Sequence, residues 1–299
     1  MGRDLYAASP AARAIFKQAD EALGFSLTRL CFEGADEELM ATENAQPALL
    51  TVSMATLAAM AESTDVAPFV AARAHFVAGH SLGEYTALAA AGALDFVTAL
   101  RLVRLRGTLM ARANQGAMAA VIGLDEAQLE AVCRDVSQHC SQVVVANYNS
   151  PGQLVISGTT AAVERAGELA REAGARRIIP LRVSAAFHSP LMVGAAAGLS
   201  PALVAAEPSS ARIPVVANVT AEPIADAGEL LRELETQVTA PVRWTASVRR
   251  MVAEGVHTFV EIGPGTVLTG LVRRIVPGAR VVNVCDVPSA IGYLSAQSA

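Results

Sequence analysis

The sequence is short of lysine, charge and long apolar runs, and each shortage excludes a class of protein. Lys17 is the only lysine among 23 basic residues and the net charge is −5, so we expect no nucleic-acid partner. No apolar run approaches the ~20 residues that a membrane helix needs. Arg3, Asp4 and Arg13 interrupt the apolar core required of a signal peptide. We therefore expect a cytoplasmic protein without a membrane partner.

Cysteine is also scarce. The four cysteines show no CxxC spacing, so we expect neither a zinc site or other metal site nor a disulfide framework. Their apolar or helical surroundings predict buried, reduced thiols at Cys31, Cys133, Cys140 and Cys285. Apolar residues, by contrast, make up 53% of the 299 residues, which is enough to bury a large core.

Apolar periodicity predicts an alternation of helices and strands. Helical spacing runs from Ser9 to Leu23 and from Gln46 to Ala61, and a strand candidate follows at His75 to Ala78. Asp95 is a good N-cap for a long helix that ends near Asn114. The first part of the chain is thus expected to be mainly helical, with one strand leading into the next motif.

The middle of the chain has a different order of predicted helices and strands. Residues 117–184 follow the order β-α-β-β-α-β, which is that of a ferredoxin-like unit. Beyond it, helices and strands alternate again, which predicts a mostly parallel sheet covered by helices on both faces. We therefore predict an α/β fold in which residues 1–116 and 185–299 form a large parallel-sheet domain and residues 117–184 form an inserted ferredoxin-like subdomain.

Residues 79–83 read GHSLG, a GxSxG motif between the predicted strand and a small-residue helix. In α/β-hydrolase-like domains this motif forms a sharp elbow that exposes a serine hydroxyl, and its glycines remove side chains that would clash. The helix N-terminus favours negative charge near the Ser81 oxygen, and the backbone N–H of Leu82 is positioned to face a developing oxyanion. We predict that Ser81 is a nucleophile in a domain of that type.

A serine hydroxyl needs a base, and the chain has five histidines. His188 is the best candidate, because it stands at the return from the inserted unit, just before a helix that begins near Pro190. His80 adjoins the nucleophile and is expected to line the pocket with its ring turned away from the Ser81 proton. The other histidines are expected to be solvated or to cap helices and strands: His75, His139 and His257.

One arginine lies on the apolar face of the helix after Asp95. Arg106 shares a row with Leu102 and Met110, so its guanidinium is expected to point inward. An unpaired buried charge is costly, so this group needs an anionic partner. Two partners stay open, namely a buried Asp or Glu, or a substrate carboxylate bound by the two-pronged guanidinium.

Together these motifs resemble those of the malonyl-CoA:acyl carrier protein transacylases of fatty acid synthesis and of the related acyltransferase domains of polyketide synthases. The resemblance covers nearly the whole chain, with motifs in the family's order: QPALLTVS, GHSLGEYTALAAAGALDF, RLRGTLM, VANYNSPGQLVISG, AAFHSPLM, APVRWTASV and EIGPGTVLTGL. It implies a ping-pong transfer of malonyl from malonyl-CoA to the phosphopantetheine thiol of acyl carrier protein, by a monomer without a metal or redox cofactor.

The resemblance also assigns residue roles. Ser81 would attack the thioester with His188 as its base, and the backbone carbonyl of Gln237 would orient that histidine. Arg106 would bind the malonyl carboxylate, assisted by His80.

Other matches are less complete. Gln46 falls among the substrate-binding positions, and Phe187 matches the bulky residue associated with malonyl over methylmalonyl selection. Ala185 departs from the His common in polyketide domains, so the match for malonyl selectivity is less complete than the match for the reaction. Relatives also begin with a strand and a GQGSQ-like loop, whose glutamine is a second oxyanion donor, before the point where this sequence starts. We expect a start assigned too late; a truncated form is the alternative.

Three other functions stay open from the sequence. A discrete polyketide acyltransferase acting in trans would share these motifs. An esterase or thioesterase would also carry GxSxG, although such enzymes normally add a carboxylate to the serine and histidine. A non-catalytic carrier-binding subunit is disfavoured by the intact serine and histidine. Three basic pairs are candidate contacts for a carrier protein or CoA phosphates: Arg176–Arg177, Arg249–Arg250 and Arg273–Arg274.

Overall fold

The computed structural model, which describes residues 1–62, 64–183 and 185–297, is a mixed α/β protein. Its first part is mainly helical and leads through one short strand to the GHSLG motif. The elements are α1 Arg3–Ala8, α2 Pro10–Leu23, α3 Leu27–Glu33, α4 Asp36–Met40, α5 Thr42–Ala61, α6 Val66–Ala71, β1 Val77–Ala78, α7 Gly83–Ala90 and α8 Phe96–Arg112.

The remaining elements fall into a middle and a final group. The middle group is β2 Ala117–Ile122, α9 Glu126–His139, β3 Val143–Ser150, β4 Gln153–Gly158, α10 Thr160–Glu172 and β5 Arg177–Pro180. After a single 3-10 turn at Pro190–Met192 come α11 Val193–Ala205, β6 Val215–Val216, β7 Pro223–Ile224, α12 Ala227–Gln237, α13 Trp244–Ala253, β8 Thr258–Ile262, α14 Val267–Ile275, β9 Arg280–Val284 and α15 Val287–Gln297.

Helix α5 is the central helix of the first group. Its small and apolar side chains are buried along most of its length, and it packs against both α2 and α8. As predicted, Asp95 caps α8, with its Oδ1 accepting from the N–H of Thr98 at 3.0 Å. Because α5 and α8 are neighbours, a polar residue near the start of α5 can meet one on the inner face of α8.

The middle group forms a four-stranded antiparallel sheet in the order β3-β4-β2-β5. The connections run β-α-β-β-α-β, as the sequence predicts. Helices α9 and α10 supply Leu129 and Ala166 to a hydrophobic cluster shared with Ile156 of β4. This sheet therefore has a hydrophobic core of its own.

Elsewhere the prediction of one mostly parallel sheet is correct for the direction of most strand pairs and wrong for the number of sheets. Strand β6 pairs in parallel with β1 and in antiparallel fashion with β7, whereas β8 and β9 form a separate parallel pair. Strand β1 is only two residues long because the chain turns at Gly79. Strand β6 is equally short because a turn between Ala217 and Glu222 follows it at once. Among the described residues, no strand joins β1 to β8.

Strand β3 also connects the four-stranded sheet to the segment before α13. Its second half shifts register against β4, which leaves backbone groups free for another partner. The N–H of Tyr148 donates to the carbonyl of Val242 at 2.9 Å, and the N–H of Val242 donates to the carbonyl of Ala146 at 2.9 Å. The Thr245 hydroxyl adds a bond to the Tyr148 carbonyl at 3.0 Å. The two parts of the chain therefore share main-chain hydrogen bonds.

The cysteine prediction is correct in part. Cys31 and Cys133 are buried, but Cys285 is half-buried and Cys140 is exposed, because Cys140 lies just past the end of α9; all four are free thiols. Within the described residues, no helix combines the length and the apolar character that crossing a membrane requires.

Candidate active site

Ser81 lies at the tip of the turn between β1 and α7. Its φ of 53° is in the left-handed region, which is strained for a residue with a side chain. A Cβ at Gly79 would lie 1.9 Å from the carbonyl carbon and oxygen of Gly83, so only glycine fits at residue 79. A Cβ at Gly83 would meet nothing within 4 Å. The expectation that both glycines relieve clashes is therefore correct for Gly79 and wrong for Gly83.

The side chain of Asn218, which the sequence analysis missed, holds this turn. Its Oδ1 accepts from the N–H of Ser81 at 2.7 Å, and its Nδ2 donates to the carbonyl of Gly79 at 2.7 Å. Parallel pairing of β6 with β1 brings Asn218 beside the elbow, where it is only 1% exposed. The available signal was an asparagine within a run of buried apolar residues.

His188 is within hydrogen-bonding distance of the serine. Its Nε2 lies 2.7 Å from the Ser81 Oγ, and its Nδ1 lies 3.0 Å from the carbonyl oxygen of Gln237 and 3.1 Å from that of Ala240. Because carbonyl oxygens only accept, the proton is on Nδ1, and Nε2 is left to accept from the serine hydroxyl. Burial, with a smaller effect of the nearby Arg106 charge, lowers the pKa of His188 to about 3. The ring is therefore neutral, with its unprotonated Nε2 facing the Ser81 hydroxyl.

The backbone N–H of Leu82 lies at the start of α7. Among the described residues, no acceptor bonds to it, whereas the N–H groups of Ser81, Gly83 and Glu84 are all occupied. An unoccupied N–H at a helix N-terminus next to a nucleophile is suited to an oxyanion.

Arg106 points inward, as predicted, and is 1% exposed. Its Nη1 donates to Gln46 Oε1 at 2.7 Å, and its Nη2 donates to Gln237 Oε1 at 3.0 Å and to the Ser81 Oγ at 3.1 Å. Its Nε has no partner among the described residues. None of the described carboxylates forms an ion pair with it. Of the two partners left open by the sequence, the structure thus lacks a directly bound Asp or Glu.

Gln237, at the end of α12, forms hydrogen bonds with Ser81, His188 and Arg106. Besides the carbonyl that accepts from His188 and the Oε1 that accepts from Arg106, its Nε2 donates to the carbonyl of Ser81 at 2.9 Å and to Glu84 Oε2 at 2.6 Å. The residue is fully buried. Ser81, His188 and Arg106 are therefore linked through one side chain and its backbone carbonyl.

Comparison with known proteins places this chain in a family. Residues 1–290 match the family described as the acyl transferase domain. The chain belongs to this family. It is similar to the malonyl CoA-acyl carrier protein transacylase of Bacillus subtilis, with 47% identity over 96% of this chain and 89% of the relative. The enzyme of that name from Escherichia coli K12 is 43% identical over 91% of this chain and 87% of the relative.

Solved structures agree with this assignment. The acyl-carrier-protein-S-malonyltransferase of Bartonella henselae superposes with a TM-score of 0.95 at 41% identity, over 100% of this chain and 95% of that one. A malonyl-transacylase solved in complex with its type II PKS acyl-carrier protein gives 0.90 at 40% identity, over 99% and 94%. The acyl transferase domain fold is therefore matched along essentially the whole chain.

Two further predicted residues of this acyl transferase domain lie where the four-stranded sheet meets the elbow. The Nε2 of His80 lies 2.8 Å from Asn149 Oδ1 on β3, and its ring centroid lies 5.8 Å from that of Trp244, with the two planes tilted by 57°. This ring is directed away from the Ser81 proton, as predicted, and burial lowers its pKa. Phe187 is half-buried against the cluster formed by Met118 and its neighbours.

The pKa of His188 leads to a pH prediction. A histidine base is active when neutral, so a pKa of about 3 predicts a flat acylation rate from pH 8 down to pH 5. A base with the ordinary pKa near 6.5 would instead lose about thirtyfold at pH 5. The measurement is the rate of acyl-enzyme formation across this range, by acid quench and mass spectrometry. Acetyl-CoA, which has no carboxylate to titrate, is the control substrate, and an inflection near pH 6.5 with both substrates would contradict the prediction.

Proposed function

We propose that this chain transfers a malonyl group from malonyl-CoA to the phosphopantetheine thiol of an acyl carrier protein through an acyl-serine intermediate. The single observation that carries the proposal is the cluster of Ser81, His188 and Arg106, in which a neutral base and a cation without an ion-paired carboxylate both contact one hydroxyl. The names of the Bacillus subtilis and Escherichia coli relatives support the same reaction.

The first half of the reaction forms the acyl-enzyme. His188 Nε2 takes the proton of the Ser81 hydroxyl as its oxygen attacks the thioester carbonyl, and the oxyanion is stabilised by the N–H of Leu82. Collapse of this intermediate breaks the carbon–sulfur bond, and His188 returns its proton to the departing CoA sulfur. The carbonyls of Gln237 and Ala240 hold Nδ1 throughout, replacing the carboxylate of a hydrolase triad.

The second half reverses these steps with a different thiol. His188 takes the proton of the phosphopantetheine thiol, whose sulfur attacks the acyl-serine carbonyl, and the Ser81 oxygen leaves with that proton. No step needs a cofactor other than the two thiol carriers.

Arg106 accounts for the choice of a malonyl group. Its Nη2 is 3.1 Å from the Ser81 Oγ, and its Nε has no partner in the described part of the chain. A carboxylate one methylene away from the attacked carbonyl falls within reach of such a group. We infer that Gln46 holds the guanidinium from behind, while His80 and Phe187 line the acyl pocket.

The proposal extends to architecture and partners. We infer an α/β-hydrolase-like large domain, residues 1–116 and 185–299, that carries a ferredoxin-like subdomain, residues 117–184. The strained turn at Ser81 and the parallel pairing of β1 with β6 support the first inference, and the sheet order and separate core of the middle group support the second. Arg250 forms ion pairs with Glu222 and Glu254, which disfavours the Arg249–Arg250 pair as a contact for the carrier protein. A cytoplasmic location and a monomeric state are proposed from the sequence alone.

The test is incubation with malonyl-CoA, acid quench and intact-mass spectrometry. We expect one malonyl adduct, located on Ser81 by peptide mapping, that a phosphopantetheine-bearing acyl carrier protein discharges to malonyl carrier. Carrier protein without phosphopantetheine is the control. Release of free malonate as the main product would favour a thioesterase, and the absence of any adduct would overturn the proposal.

A further inference from the structure

Behind Ser81 the structure buries two carboxyl groups that the proposed mechanism does not use. Glu84, in the first turn of α7, is 1% exposed, and Glu233 of α12 is 7% exposed. Burial, followed by the neighbouring Glu233, raises the pKa of Glu84 well above its ordinary value. Because burying a carboxyl is costly unless it is hydrogen-bonded, the contacts of Glu84 need to be identified.

Both oxygens of Glu84 accept hydrogen bonds from groups that define the site. Oε1 accepts from the backbone N–H of Asn218 at 2.9 Å, and Oε2 accepts from Gln237 Nε2 at 2.6 Å. Asn218 is the residue whose side chain holds the N–H of Ser81, and Gln237 is the residue that holds Arg106. Glu84 thus lies behind both supports without touching the reacting groups.

The orientation of the Gln237 amide depends on these contacts. Its oxygen faces the Nη2 donor of Arg106, and its NH2 group faces two acceptors, the Ser81 carbonyl and Glu84. A flipped amide would set donor against donor at Arg106 and acceptor against acceptor at the other two contacts. Glu84 and Arg106 therefore favour the same orientation from opposite ends.

We propose that Glu84 is a positioning residue that, by holding the Gln237 amide, fixes the Arg106 guanidinium beside Ser81 for acyl groups bearing a carboxylate. The inference rests on the proposed function and deepens it, since it assigns part of the substrate selection to a residue that contacts no substrate.

The geometry indicates why glutamine cannot replace Glu84. A carboxyl offers two acceptor oxygens, which is what the N–H of Asn218 and the NH2 of Gln237 require, whereas an amide offers one. The Asn218 N–H is fixed by the backbone, so it keeps the oxygen, and the new NH2 then faces the NH2 of Gln237. Gln237 must turn, and Arg106 loses its Oε1 acceptor.

The experiment compares Glu84→Gln with Glu261→Gln, a matched change of a carboxyl on β8 whose two oxygens accept from the N–H groups of Leu268 and Thr269. The readouts are kcat/KM for malonyl-CoA and for acetyl-CoA in the intact protein, and the labelling rate of Ser81 by a neutral fluorophosphonate. We expect Glu84→Gln to lower the malonyl to acetyl ratio about tenfold or more, as loss of one hydrogen bond to a charged group implies. Fluorophosphonate labelling is expected to stay within about threefold, and Glu261→Gln to keep the wild-type ratio.

The outcomes separate the two proposals. If the wild type forms no malonyl adduct, the proposed function fails. If the wild type prefers malonyl and Glu84→Gln keeps that preference, or if Glu261→Gln loses it equally, only the role of Glu84 is overturned. A proportional fall in both substrates and in labelling would indicate a merely structural role. Should Glu84→Gln not fold, Glu84→Asp replaces it, since it withdraws the carboxylate from Gln237 by one methylene and has the same expected direction.

Discussion

Replacing Ser81 with alanine is expected to abolish the malonyl adduct and to lower malonyl transfer by about ten-thousandfold or more, as loss of a nucleophile does in other serine acyl-transfer enzymes. The reason is that the reaction then lacks the oxygen that carries the acyl group between the two thiols. The remaining histidine, arginine and N–H donor would still bind the substrate. The measurements are intact mass after malonyl-CoA treatment and steady-state transfer to the carrier.

The matched control is Ser200→Ala, which removes a hydroxyl on α11 that bonds only to Glu235. It is expected to keep the adduct and the transfer rate. Thermal unfolding of both variants shows whether the fold is retained. An adduct that persists in Ser81→Ala would mean that the nucleophile lies elsewhere.

The second large effect concerns Arg106. Arg106→Ala is expected to lower kcat/KM for malonyl-CoA by about a hundredfold to a thousandfold, because the carboxylate then loses its charged hydrogen bonds. Acetyl-CoA has no carboxylate, so its kcat/KM is expected to fall far less. The ratio of the two values is the measurement, because any loss of folded protein affects both substrates equally.

Arg104→Ala is the control for this ratio. It lies on the same helix, but its Nη1 donates to the carbonyl of Glu43 and to the side chain of Asn44, away from Ser81. It is expected to keep the malonyl preference. Equal losses for malonyl and acetyl transfer in Arg106→Ala would refute the carboxylate-binding role and leave this arginine as a support for the two glutamines.

Much of the site could be predicted because its signals are local. A glycine, a serine and a helix start define the elbow within five residues, and the helical row of Leu102, Arg106 and Met110 sets the direction of the guanidinium. The N-cap at Asp95 could be predicted in the same way. These inferences need only chain geometry over one or two helical turns.

The supports of the site could not be predicted in the same way. Asn218 bonds to a residue 137 positions earlier, and Gln237 bonds to Glu84 across 153 positions. Such contacts follow from the parallel pairing of β1 with β6 and from the meeting of α7 with α12, neither of which leaves a periodic pattern. For Glu84, a charged residue opening an otherwise apolar and small helix was the signal to notice.

The sheet prediction shows the same limit. The apolar run at His75 to Ala78 predicted a strand correctly, but it could not show that this strand pairs with β6 over only two residues. Strand length there is set by the turns that follow, at Gly79 and after Ala217, and these turns are fixed by tertiary contacts. The alternation of helices and strands therefore predicted the α/β class but not the number of sheets.

The two glycines of the elbow differ in whether a Cβ would clash there, and this difference affects how the GxSxG pattern should be used. At residue 79 the packing of the turn admits only glycine, so this position of the pattern is required by the backbone conformation. At residue 83 a methyl group would project into open space, so the fold does not require glycine at this position. A search for distant members of such a family should therefore give the first glycine full weight and let the second one vary.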